Sequence, residues 1–379
     1  MLYNRRKRQN IMERFYLAAL LAVPKLKQNT VRRLLGSMKS AEEVWKAPVK
    51  ELATFMTENE QTALMNFRNK KAGLPEKIAN DVETRGIKVY TEESSEYPPI
   101  LKEIAQPPMI LFCRGTLVPD VQRIAMVGSR KATAYGRHAA EELSAELAAS
   151  GLTVVSGAAR GIDTFSHKGA MKTGRTVAVL GCGIDVTYPP ENEELLCEIA
   201  ENGAVISEYP PGTPPNQGFF PARNRIISGL SMGTVVVEAA EHSGSLITAE
   251  MALSEGRDVF AVPGSIYSPM SAGANRLIQQ GAKLVRSGRD VLSEYPAFSA
   301  APEGKTSYAE EGLPQGLSPD EKKIYELLSH DEARTADEII YALHGSGAAN
   351  VAFLLLQMEL RGLVEEDENH AYTRRIKEA

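Results

Sequence analysis

The sequence predicts an α/β protein: a Rossmann-like, doubly wound, mainly parallel sheet, with an N-terminal helical domain and a C-terminal winged-helix-like domain. Three observations predict it. From about residue 105 to 295, short apolar runs alternate with helical stretches. The runs are apolar nearly throughout, as strands covered on both faces must be. On either side of this region apolar residues recur at helical spacing instead. A composition of 43% hydrophobic and 24% charged residues is ordinary for a soluble globular chain, and 379 residues give room for two or three domains.

The elements follow in order. Within residues 1–82, "RFYLAALLAV", "TVRRLLGSM" and "SAEEVWKAPVKELATF" read as helices. Thr30 and Ser40 are expected N-caps, and Glu43, three residues after Ser40, completes a capping box. The basic run Arg5–Arg8 ahead of the apolar stretch Phe15–Val23 imitates a signal peptide, but Glu13 and Arg14 intervene and no A-x-A cleavage site follows. A buried helix behind a basic tail is expected, with Met12 an alternative start. The stretch is too short to span a membrane. The connection "PKLKQN" resembles a helix-hairpin-helix turn but lacks the glycines that let backbone approach phosphate, which favours a structural or protein-contact role.

Residues 83–295 hold the expected strands "RIAMV", "LTVVS", "TVAVLG", "AVISEY", "TVVVEA", "DVFAVPG" and "KLVRS", with helices in "GRHAAEELSAELAAS", "ENEELLCEIAENG" and "SLITAEMALSEG". Residues 296–319 carry four prolines and three glycines without periodicity and read as a linker. In 320–379, three helices and a strand pair, "LVEEDENHAYTR", give the winged-helix order. Residues 301–379 have 8 Lys+Arg against 16 Asp+Glu, a net of −8 that disfavours docking on DNA there; residues 1–300 are left at +3.

Three cysteines, Cys113, Cys182 and Cys197, lack C-x-x-C spacing, and six histidines show no H-E-x-x-H pattern. A reducing, cytoplasmic setting without a metal is expected. "GCGIDV" begins like a dinucleotide fingerprint, but Val186 stands where a small residue belongs and no ribose-binding acid follows the second strand, so no cofactor is expected. "GAMKTGRT" and "GLSMG" match a phosphate loop and a nucleophile elbow only with helix and strand in the wrong order. Asp163, Asp185, Glu208 and Glu238 show no catalytic spacing; salt bridges or caps suit them.

Ligands of such sheets bind at the C-terminal strand ends, and three segments fall there. "VGSRKATAYG" places Gly128, Ser129, Arg130 and Lys131 between a strand and a helix N-terminus, an anion-attracting arrangement. "SGAARGID" places Ser156, Gly157 and Arg160 similarly. "GFFPARNRIISGLS" sets Phe219 and Phe220 before Arg223, Asn224 and Arg225; aromatics beside cations suit stacked bases along a charged backbone. Plainer roles exist for each: tight turns at the glycines, an Arg160–Asp163 pair, phenylalanines in the core.

Together with "AVLGCGIDVTYPPEN", "ISEYPPGTPP", "VVEAAEHSGSLITAEMALSEGRDVFAVPG" and "GANRLIQQGAKLV", these motifs make residues 97–295 resemble the DNA-processing protein A (DprA/Smf) family. The resemblance implies a bacterial, cytoplasmic, dimeric, non-catalytic protein that binds incoming single-stranded DNA in natural transformation and loads the RecA recombinase onto it past single-strand-binding protein. By position it implies DNA contacts from Gly128 to Lys131, Arg160, Phe220 to Arg225 and Ser243, Gly244 and Ser245, and dimer contacts near Asn275, Leu277, Ile278 and Leu284. Core packing is the other reading of that last segment. Some members carry a lysine in the Tyr-Pro-x-Glu-Asn loop where this chain has Pro190, which removes one phosphate contact. The rival function is a nucleoside-monophosphate phosphoribohydrolase, whose G-G-x-G-T-x-x-E signature is approached by Gly233-Thr234 with Glu238 one residue late. A scaffold that binds RecA without touching DNA is the third.

Overall fold

The computed structural model describes residues 2–298, 313–314, 316–329, 333–343, 350–367 and 370–375. Most of the expected linker lies outside them. The chain divides into two compact units, 1–131 with 140–299, and 300–379 with 132–139.

The larger unit opens with helices α1 (Leu2–Leu21), α2 (Gln28–Ser37), α3 (Ala41–Lys46), α4 (Val49–Leu52), α5 (Glu58–Lys70) and α6 (Leu74–Thr84). Phe15 to Leu20 of α1 are buried. Among the described residues no helix is long and apolar enough to cross a membrane. The capping expectations need correction. Ser40 does accept from Glu43 N, but the Glu43 carboxylate accepts from Lys39 N rather than closing the box. Thr30 lies inside α2, where its hydroxyl donates to Glu60 (2.7 Å). Although burial pushes the Glu60 carboxyl up, hydrogen bonds from Thr57, Thr30 and Lys27 outweigh it and hold it at about 2. These helices share one hydrophobic core with Ile110, Phe112, Leu180 and Val205 of the sheet.

The sheet contains β1 (Lys88–Thr91), β2 (Ile110–Gly115), β3 (Arg123–Val127), β4 (Thr153–Ser156), β5 (Thr176–Leu180), β6 (Ala204–Ser207), β7 (Gly233–Val236), β8 (Asp258–Ala261) and β9 (Lys283–Leu284). Its order is β1-β2-β6-β5-β4-β3-β7-β8-β9. From β6 to β9 all pairings are parallel; β1 and β2, not foreseen from the sequence, add an antiparallel edge. Helices α7 (Ala134–Ala149, of which 134–139 count with the second unit), α8 (Ile162–Thr173), α9 (Glu193–Asn202), α10 (Phe219–Gly229), α11 (Gly244–Ser254), α12 (Ala272–Gln279) and α13 (Gly288–Leu292) accompany the sheet.

The chain starts the parallel sheet at β3, builds outward to β6, then returns to place β7 on the other side of β3. This is a topological switch point, where loops leave neighbouring strand ends in divergent directions and open a crevice. Register sets β3 and β7 level, Val127 opposite Val236, and Val237 N donates to Val127 O (3.0 Å).

The smaller unit contains α14 (Pro319–Leu327), β10 (Arg334–Thr335), α15 (Ala336–Ala342), α16 (Val351–Leu360), β11 (Val364–Glu366) and β12 (Ala371–Arg374), with sheet order β10-β12-β11. This is the winged-helix order, with a short strand β10 that the sequence did not reveal. Ile324, Ile339, Val351, Leu355 and Met358 form its core.

Candidate nucleic-acid interface

A groove of about 1070 Å³ opens at the switch point. Gly128 to Lys131 form one wall; Phe220, Pro221, Arg223 and Asn224 of α10 form another; 240–245 at the start of α11 and Pro269 and Met270 close it.

The β3–α7 loop is built from glycine and backbone bonds. A side chain at Gly128 would meet Ile162 Cβ at 2.8 Å and Glu238 O at 2.9 Å, so only glycine lets this turn pass. Ser129 N donates to Glu238 O (2.8 Å), Ile162 N donates to Ser129 O (3.1 Å), and Ser129 Oγ accepts from Lys131 N (3.0 Å). The loop is thus tied to both β7 and α8, while Arg130 projects outward. Among the described residues Arg130 forms no ion pair; its guanidinium lies 5.4 Å from the Phe220 ring centroid.

The second loop lies beneath the first. Ser156 is buried and donates to Met126 O. Gly157 N and Ala159 N donate to Asp163 (3.1 and 3.3 Å), so an internal carboxylate already occupies these backbone donors. Arg223, 3% exposed, donates to Gly157 O (2.7 Å) and to Val179 O. Burial lowers its pKa to about 10, which leaves it charged at neutral pH. Burial raises the Asp163 pKa, and the nearby Arg223 charge opposes that rise. Ser156 is thus fully buried beneath the groove, while Arg223 lines it yet spends its guanidinium on backbone carbonyls. The reason is physical: a fully buried guanidinium is held where backbone carbonyls satisfy it.

Arg160 is exposed but not free. It pairs in two places with Glu191, not with Asp163. Arg225 is drawn away from the groove lining: it pairs with Glu208 (2.7 Å) and donates to Gln28 of α2 (3.4 Å). Phe219 stacks on Tyr209 (4.2 Å, 23°), whereas Phe220 lies against Tyr188 (5.2 Å, 34°) and lines the groove. Gly181 of the "GCG" segment has a role of its own, since a Cβ there would meet Phe220 Cδ1 at 2.8 Å. Asn224 lines the groove, as do Ser243, Gly244 and Ser245; Ser243 caps α11, and nothing crowds Gly244. Tyr188, Gln217, Glu241, His242, Ile247, Pro269 and Met270 also line it and were not foreseen. They come from loops and, for Ile247, from the first turn of α11, whose convergence depends on strand order, which no local motif encodes.

The expected dimer segment is mixed. Leu277 is buried in the core and Ile278 packs against it. Asn275 clasps Gly264, donating to its O (3.0 Å) and accepting from its N (3.2 Å). Leu284, on the edge strand β9, is 42% exposed. Asp185 accepts from Gly212 N and pairs with Arg85, so it serves as a cap and bridge. No cluster of metal-ligating side chains occurs among the described residues.

Fold and groove together define an open α/β protein with a cationic and aromatic crevice at its switch point, joined to a winged-helix unit. Comparison with known proteins names the group. The family model of DNA recombination-mediator protein A matches residues 88–296, and that of the DprA winged helix domain matches 309–369. DNA processing protein DprA of Bacillus subtilis is 46% identical over 215 residues, 56% of this chain and 72% of that one. The X-ray structure of DprA from Streptococcus pneumoniae superposes with a TM-score of 0.64 at 38% identity, covering 74% of this chain and 97% of that one. DprA from Helicobacter pylori, described for its single-stranded DNA binding mode, gives 0.50 at 30%, covering 55% and 95%. The chain belongs to the DprA/Smf family.

Proposed function

We propose that this protein binds single-stranded DNA in the switch-point groove, without chemistry, and delivers it to the RecA recombinase in competition with single-strand-binding protein. The observation that carries the reading is Arg130: an exposed cation with no carboxylate partner among the described residues, beside a helix N-terminus and over an aromatic ring, in a groove of about 1070 Å³. Lys131, Asn224 and the Ser243–Ser245 turn supply further donors around the same groove. The functional division is an N-terminal helical domain (1–82), a DNA-binding domain (83–295), a linker (296–319) and a winged-helix-like domain (320–379), acting as a homodimer through the segment that carries Asn275, Leu277, Ile278 and Leu284, of which Leu284 is the exposed member. The relative from H. pylori, described for its single-stranded DNA binding, supports the ligand class. The deciding experiment compares single-stranded and duplex oligonucleotides at two salt concentrations. Tighter binding to the single strand, weakening with salt, is expected; tighter binding to duplex overturns the reading. Incubation with AMP should release no free base, which separates it from the phosphoribohydrolase alternative.

A further inference from the structure

Between β8 and α12 the chain makes a loop with a fixed neck and a bare tip. The two Asn275–Gly264 hydrogen bonds tie its start to α12. A Cβ at Gly264 would lie 2.8 Å from Ser271 Cβ, so the two ends of the loop pack in contact. Within it, Tyr267 N donates to Ser265 Oγ (3.2 Å), Ser268 N to Ser265 O (3.1 Å) and Ser271 N to Ser268 O (3.1 Å). At the tip Ile266 and Tyr267 are each 85% exposed, while no other large apolar side chain described in this unit exceeds 58%. Three residues further on, Pro269 and Met270 line the groove.

We propose that Tyr267, flanked by Ile266, is a base-stacking platform on the groove rim, taking an unstacked nucleobase of a single strand as it leaves the Phe220 region past Pro269 and Met270. This rests on the groove being a single-stranded DNA site. Continuity with the groove lining selects the occupant. A flat apolar ring with a polar tip fits the face of any base, so the platform is indifferent to sequence. The pinned neck limits the loop ordering that binding would otherwise cost. Duplex DNA, whose bases are already stacked, gains nothing from it. Phe220 alone offers limited stacking surface, since Tyr188 covers part of it and Arg130 another part.

The test uses the full chain and a length series of dye-labelled oligothymidine, with an abasic strand of equal charge as control. Tyr267→Ala should weaken binding of the longer strands about tenfold, leave the abasic strand unaffected, and keep the wild-type salt slope, because no phosphate contact is lost. Tyr267→Trp should bind normally and its fluorescence should be quenched by DNA; the one native tryptophan, Trp45, is buried among the N-terminal helices. If Tyr267→Ala binds every strand as wild type does while Arg130→Ala is weakened, the platform is wrong and the groove stands. If neither variant changes binding, the groove reading fails with it. A changed molecular mass for Tyr267→Ala by light scattering would assign the tip to contact with a second copy and overturn the platform.

Discussion

The Arg130 guanidinium lies 5.4 Å from the centroid of the Phe220 ring, joining the first loop of the switch point to the helix that forms the opposite wall. The ring holds the cation over the groove without neutralising it, as a carboxylate would. Arg130→Ala should therefore weaken binding to all single strands alike. The slope of log affinity against log salt should fall by about 0.7. Melting temperature should stay within a degree or two. An unchanged slope in a folded protein would remove Arg130 from the site.

Arg223 makes the opposite prediction, although both arginines sit near the same groove. Its charge is buried, and it satisfies Gly157 O and Val179 O while facing the Asp163 charge. Arg223→Ala leaves those carbonyls and that carboxylate without compensation, a loss of about 3–5 kcal/mol. A fall in melting temperature on the order of 10 °C is expected. Normal stability with weakened DNA binding would return Arg223 to direct contact.

The parallel strands were legible because a strand buried on both faces has no choice but an unbroken apolar run. β1 gives a weak pattern because it is the edge strand, exposed at Lys88 and only half-covered at Thr91; β2 lies between β1 and β6 with Ile110 to Cys113 buried, and its apolar run is as plain as those of the parallel strands. The glycine loops were legible for a similarly local reason, since Gly128 sits in a turn that no other residue fits. The direction of a side chain is not local. Arg223, Asn224 and Arg225 are consecutive, yet the first, though it borders the groove, turns its guanidinium onto buried carbonyls, the second lines the groove, and the third turns to Glu208 and to Gln28, 197 residues away. Their sequence resembles one basic patch; their partners divide it among three roles.

Glu191 restrains Arg160 in a double contact at the surface. Exposed pairs of this kind are weak and give way to competing anions. Glu191→Gln should free the guanidinium for a phosphate. Affinity for single strands should rise several-fold and the salt slope should steepen by about 0.7. Asn192, the next residue, holds Ala158 O and Thr164 independently, so the loop should keep its shape. An unchanged affinity and slope would place Arg160 outside the path of the strand.

Residues 301–379 carry a net charge of −8. Like charge lowers the local potential that attracts a phosphate backbone. Truncation after Tyr295 keeps that residue's hydrogen bond to Asp258 (2.9 Å) and its edge contact with Phe260. Affinity should be equal or slightly higher than for the whole chain. A large loss would show that the winged-helix unit touches DNA.

Leu277 and Leu284 separate core from interface. They sit seven residues apart in one apolar segment, but Leu277 is 6% exposed within the main core and Leu284 is 42% exposed on the edge strand β9. Burying a carboxylate at Leu277 incurs desolvation without a partner, in addition to the lost apolar contacts. Leu277→Asp should therefore unfold the protein or lower its melting temperature sharply, whatever the oligomeric state. Leu284→Asp costs little in a monomer, since the side chain already meets water. If β9 forms the homodimer edge, the same change sets two carboxylates against an apolar surface across a two-fold axis, where each residue meets the same patch of its partner. A folded monomer is then expected, with unaltered far-ultraviolet circular dichroism and half the mass by light scattering. A Leu284→Asp protein that keeps the wild-type dimer mass would move the interface elsewhere, and a wild-type protein that is already monomeric would remove it altogether.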